Sequence, residues 1–135
     1  MIHRADTVPL TPEEAFALFA RTTAWWPHPG RLQITPHKGG DVTEIAPDGT
    51  RLRRGTVIAW DEGRYLAFTW SDDGQPETVV AVSFHATATG TRVDLTHGSP
   101  EILGDLADAV STTWLRGWAL TLGSFCAAAR ARETA

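Results

Sequence analysis

Apolar and polar positions alternate with a period close to two over most of residues 31–97. Beyond Pro100 the period becomes three to four. The first regime predicts strands and the second a helix. Within the β region Gly39-Gly40 marks a turn and Asp41 to Ala46 reads as a strand, closed by the hairpin turn Pro47-Asp48-Gly49. Thr50 to Trp60, Arg64 to Trp70, Glu77 to Ala88 and Thr91 to His97 follow, separated by Asp61-Glu62-Gly63, Ser71-Asp72-Asp73-Gly74 and Thr89-Gly90. Such tight loops join antiparallel neighbours. Leu66, Phe68 and Trp70 share one strand face, as do Val80, Val82 and Phe84, and Val93, Leu95 and His97. Residues 52–60 do not alternate cleanly, which calls for a bulge.

Ahead of this region, residues 2–8 read as a short strand. Thr11-Pro12-Glu13-Glu14 is a helix start: Thr11 caps, Pro12 suits the first helical position and Glu14 completes a capping box. That helix runs to about Arg21, with a further turn near Thr23 to Trp26, before Pro27 and Pro29 stop it. At the other end Leu103, Leu106, Val110, Trp114, Trp118, Leu122 and Phe125 form one stripe of a helix from about Leu103 to Arg130. No other element is large enough to cover that stripe, so it packs on the concave side of the sheet. The expected fold is therefore α+β: a curved antiparallel sheet wrapped around a long C-terminal helix, two short helices near the N-terminus, and an apolar pocket between helix and sheet.

No repeat or linker-like composition shift divides the 135 residues, so residues 1–135 are read as one domain. A net charge of -4 argues against a nucleic-acid partner, which needs a basic face. The single cysteine, Cys126, cannot form an internal disulfide and lies between Phe125 and an alanine run, where a small buried hydrophobe is expected. The N-terminus has no signal-peptide core and no apolar run is long enough to span a bilayer, which together with the lone thiol points to a cytoplasmic protein.

Trp25-Trp26-Pro27, Gly39-Gly40, Gly55 with Val57, Leu66-Ala67-Phe68-Thr69-Trp70, Gly90 to His97 and Gly117-Trp118 occur in an order and spacing that covers nearly the whole chain. In these the sequence resembles the AHSA-like family, the activator of heat-shock-protein ATPase homologues, within the START-like (SRPBCC) helix-grip superfamily. The resemblance implies the fold derived above and a functionally heterogeneous set of relatives. Eukaryotic chaperone activators of that family carry an additional N-terminal domain that engages the chaperone. This chain begins with the START-like domain itself, which places a co-chaperone role second.

The candidate chemistry is sparse. His3, His28, His37, His85 and His97 lack zinc-ligand spacing, so neither a metal nor a cofactor is expected. Parity puts His97 inward at a strand end, as a titratable group in the pocket or, more simply, a structural histidine bonded to a neighbouring loop. Glu44 shares parity with Val42: turned inward it becomes a site candidate, turned outward an ordinary surface carboxylate. Six tryptophans are the strongest hint, since indoles line cavities as readily as they fill cores. The expected ligand-binding set is Phe68, Trp70, His97, Val110, Trp114 and Trp118, with Trp25 or Trp26 at the entrance. The first expectation for function is binding or carrying an apolar small molecule, as a monomer or homodimer. A chaperone-linked, stress-related interaction module comes second, and a cyclase- or hydrolase-like enzyme using His97 or Glu44 third.

Overall fold

The structure, a computed structural model, describes residues 2–71, 76–98 and 107–134, with the side chains of the last helix described from 117 to 132. Among these residues the elements are, in order, β1 (Ile2–Val8), α1 (Pro12–Ala20), a 3-10 turn (Thr22–Ala24), β2 (Arg31–Ile34), β3 (Asp41–Ile45), β4 (Arg51–Asp61), β5 (Tyr65–Trp70), β6 (Thr78–Thr87), β7 (Gly90–His97) and α2 (Ala107–Thr134). The second of the two expected N-terminal helices is thus a single 3-10 turn. The expected start of the long helix near Leu103 falls outside the described residues, and so do the side chains of Val110 and Trp114.

α1 begins as its capping box dictates. Thr11 Oγ1 accepts from Glu14 N at 3.2 Å and Glu14 Oε1 accepts from Thr11 N at 3.1 Å, with Pro12 in the first turn. One face of α1 buries Ala15, Phe16, Leu18 and Phe19. Phe16 meets the rings of Trp60 and Phe84 edge-on at 5.1 and 5.3 Å, and Phe19 meets Phe125 of α2 at 5.3 Å. α1 thus joins the sheet to the long helix.

The strands form one antiparallel sheet in the order β1-β7-β6-β5-β4-β3-β2. β2 to β7 are a meander of neighbours. β1 pairs with β7 across almost the whole chain, from Ile2 opposite His97 to Val8 opposite Thr91. β4 carries two irregularities. Ile58 is the extra residue between Val57, opposite Phe68, and Ala59, opposite Ala67, which accounts for the mixed alternation of residues 52–60. Arg54 is the extra residue on the other side, between Arg53, opposite Thr43, and Gly55, opposite Val42. Bulges of this kind bend a strand and increase its twist, and here they fall where β4 is shared by both halves of the sheet. At Gly55 a Cβ would stand 1.8 Å from the carbonyl oxygen of Thr69, so only glycine lets β5 pass this closely.

The concave face supplies Val57, Leu66, Phe68, Val80, Val82, Phe84, Val93 and Leu95 to the core, and α2 supplies Leu122, Phe125, Cys126 and Ala129. Arg130 of α2 reaches Asp6 Oδ1 at 3.5 Å and Thr7 O at 3.4 Å, holding the end of the helix against β1. Phe125 is fully buried between Phe19 and Trp25. Phe125→Ala is therefore expected to destabilise the fold by about 3–5 kcal/mol, through lost burial and the cavity left behind. Urea denaturation measures this, and an unchanged midpoint would show that α2 is not held through this ring.

Candidate functional site

Where the apolar packing of α2 ends, a cavity of about 290 Å³ opens between the helix and strands β2, β3, β5 and β7. Its lining among the described residues is Trp26, His28, Leu32, Glu44, Phe68, Trp70, His97, Gly117, Trp118 and Thr121. Alternation along β5 sets Phe68 and Trp70 on the inner face, and helical spacing brings Gly117, Trp118 and Thr121 round to meet them.

His97 is buried at the inner end of β7, 3% exposed. Trp118 Nε1 donates to its Nδ1 at 2.9 Å, so Nδ1 must carry a lone pair and the proton sits on Nε2. Nε2 lies 2.8 Å from Thr78 Oγ1, which in turn donates to the carbonyl oxygen of Trp70 at 3.1 Å. The imidazole is thereby held neutral in one tautomer, joining the end of β7 and the start of β6 to α2. Burial pushes its pKa down to about 4. The partners are the start of β6 and the long helix, rather than a loop.

Three residues at successive turns of α2 bond inward. Besides Trp118, Thr121 Oγ1 donates to Gly117 O at 2.7 Å and lies 2.8 Å from His28 Nε2. Ser124 Oγ donates to Trp25 O at 2.5 Å. On the opposite wall Glu44 faces inward from β3. Its Oε1 takes Arg54 Nε at 2.9 Å and Nη2 at 2.8 Å, and the guanidinium lies 5.9 Å from the Trp70 ring centre. The bulge in β4 is what turns Arg54 toward this face.

Of the residues expected from sequence, the structure gathers Trp26, Phe68, Trp70, His97 and Trp118 around one cavity. Trp25 stands elsewhere. It is buried against Phe19 and Phe125, and its Nε1 donates to Leu18 O at 2.9 Å, so it is a packing residue of the core. Val110 and Trp114 have side chains outside the described residues. His28, Thr121, Gly117 and Arg54 were not among the residues expected to bind ligand. Thr121 and Gly117 flank the predicted stripe, which was a usable signal, whereas His28 and Arg54 sit in irregular backbone with no periodicity to read. Cys126 is buried, and burial with the Asp6 carboxylate nearby pushes its thiol up to about 12, which makes it inert. Among the described residues no group of three His, Cys, Asp or Glu stands close enough to hold a metal ion, and no helix is long and apolar enough to cross a membrane.

A curled antiparallel sheet gripping a C-terminal helix over such a cavity is the helix-grip fold of START-like domains. The family model described as Activator of Hsp90 ATPase homolog 1-like protein matches residues 9–127, and the chain belongs to that family. No curated protein matches the chain in sequence. Among solved structures, a protein from Mesorhizobium loti superposes with a TM-score of 0.74 at 17% identity, covering 94% of each chain. The anthrahydroquino-γ-pyrone synthase Txn09, solved as a complex, gives a TM-score of 0.63 at 27% identity, covering 94% of this chain and 95% of that one. The di-domain ARO/CYC protein StfQ from the steffimycin biosynthetic pathway gives 0.68 at 15% identity, covering 99% of this chain and 51% of that one.

The lowered pKa of His97 makes stability depend on pH. An unfolded imidazole takes up its proton near pH 6.5, whereas the folded one resists to about pH 4. Its contribution is fully present above pH 6.5 and is lost as pH falls from there to about 4, by up to ~3 kcal/mol. Urea denaturation at stepped pH should show this slope and a smaller one in His97→Gln; equal slopes would show that His97 is not buried neutral.

Proposed function

We propose that this domain binds a small, mostly apolar ring compound in the cavity between α2 and the sheet. The observation that carries this reading is the composition of the wall. The flat rings of Trp26, Phe68, Trp70 and Trp118 surround a space of about 290 Å³, and a few polar groups, His28, Thr121, Glu44 and His97, converge on it. That is the usual make-up of a ligand site, at the small end of the size range of about 300–1,000 Å³. The likeness to a synthase whose name denotes a fused-ring product supports a ring-bearing ligand.

Binding or carriage is favoured over catalysis by the two groups first considered as acid or base. Both ring nitrogens of His97 are engaged, in a network that holds it neutral. The Oε1 of Glu44 is taken by Arg54. The two groups are thus committed to structural pairings, His97 with Trp118 and Thr78 and Glu44 with Arg54, which suits a carrier or sensor.

Naphthalene is a suitable probe. It should raise the melting temperature by mass action and change tryptophan fluorescence. Gly117→Leu provides the control. Gly117 lines the cavity, and among the described residues nothing lies within 4 Å of a Cβ placed there, so a side chain begins in open space. Loss of a helical glycine also favours the fold by up to about 1 kcal/mol. The variant should keep or raise its melting temperature and lose the naphthalene response. An equal response in variant and wild type would place binding elsewhere, and no response in wild type would refute the proposal.

A further inference from the structure

The two histidines of the cavity differ in what they leave unused. His97 has both ring nitrogens engaged. His28 has one, Nε2, held 2.8 Å from Thr121 Oγ1. Thr121 has a single hydroxyl proton, and the 2.7 Å separation from Gly117 O requires that this proton lie between those two oxygens. Thr121 Oγ1 must therefore accept from His28. In the neutral imidazole the proton is fixed on Nε2, and Nδ1 is left as a lone-pair acceptor with no hydrogen-bond partner among the described residues. Trp26 lies against the ring, 4.7 Å between centroids, and helps fix its plane.

The other wall offers the same polarity. Glu44 contributes a carboxylate whose Oε1 is taken by Arg54, leaving Oε2 as a second acceptor. The Trp118 N–H is spent on His97. The Trp26 N–H is a buried donor with no hydrogen-bond partner among the described residues, but it is out of contact with the cavity space in this arrangement. The cavity is thus rich in acceptors between aromatic walls.

We infer that the ligand is a hydroxyl-bearing ring compound, neutral rather than carboxylated, and that His28 Nδ1 accepts its hydroxyl proton in a hydrogen bond. This rests on the cavity being the binding site and adds which chemistry it selects. A ring hydroxyl meets an acceptor otherwise left without a partner, whereas an anionic carboxylate has no proton to give to that lone pair. Thr121 is a positioning residue: it keeps the His28 lone pair on Nδ1.

The experiment compares 1-naphthol, naphthalene and 1-naphthoate by equilibrium dialysis at about pH 8. It is paired with ¹⁵N NMR of the histidine rings of wild-type protein. Naphthol should bind about tenfold or more tightly than naphthalene, and naphthoate more weakly than naphthol. The His28 resonances should show Nδ1 unprotonated in the free protein, with Nδ1 shifted on adding naphthol. His28→Phe should lose the preference for naphthol over naphthalene. The NMR arm needs no variant, so a misfolded His28→Phe leaves the inference testable. Nδ1 protonated in the free protein, or naphthol bound no better than naphthalene, overturns the inference while leaving the binding site standing. Failure of all three compounds to bind overturns both.

Discussion

Where α2 crosses the concave face of the sheet, its inward side changes character, and the cavity depends on that change. From Leu122 to Ala129 the helix meets the sheet and α1 through apolar groups, with Phe125 at the centre. Through Trp118, Thr121 and Ser124 it instead forms hydrogen bonds, to His97 of the sheet and to His28 and the Trp25 carbonyl in the segment ahead of β2. Buried polar groups hold their partners at fixed distances and directions, because leaving one unpaired costs more than the bond itself contributes. Apolar side chains tolerate sliding and collapse; a seam of directed bonds does not. The bonding half of α2 therefore fixes the helix over the sheet at a set spacing, and rings rather than aliphatic chains border the gap.

The sheet meets the helix on the same terms. Two bulges in β4 bend it, and one of them turns Arg54 inward, where the guanidinium pairs with Glu44 beside Trp70. An arginine at this place covers the indole with its charge while still reaching a carboxylate, which lysine does less well. His97 completes the arrangement at the end of β7. One imidazole receives the indole N–H of the helix and bonds to Thr78 of the neighbouring strand, so a single neutral side chain ties β6, β7 and α2. Its neutrality is part of the design, since an imidazolium could not accept from Trp118.

Much of this was legible in sequence because it rests on local periodicity. The inner face of β5, the stripe through Trp118, Leu122 and Phe125, the Thr11 capping box and the irregular β4 all follow from spacing along a few residues. What was not legible depends on pairs far apart. Nothing near Ile2 announces His97 as its partner. Trp25 and Trp26 are adjacent and alike, yet one packs in the core and the other lines the cavity, because the backbone between the 3-10 turn and β2 has no period from which to assign faces. Glu44 could have pointed either way until its partner Arg54 was seen, and Arg54 points inward only because β4 has an extra residue there. His28 gave no signal at all, as its role needs Thr121, 93 positions along the chain.

The most direct measurement is intermolecular NOE spectroscopy on the protein with bound naphthalene. The indole Hε1 of Trp118 and the ring protons of Trp70 lie on opposite walls of the same gap, one on the helix and one on the sheet. NOEs from naphthalene to both at once, with none to the core ring of Phe125, are the predicted result. Contacts confined to exposed side chains of the outer sheet face, or to only one of the two walls, would contradict the account.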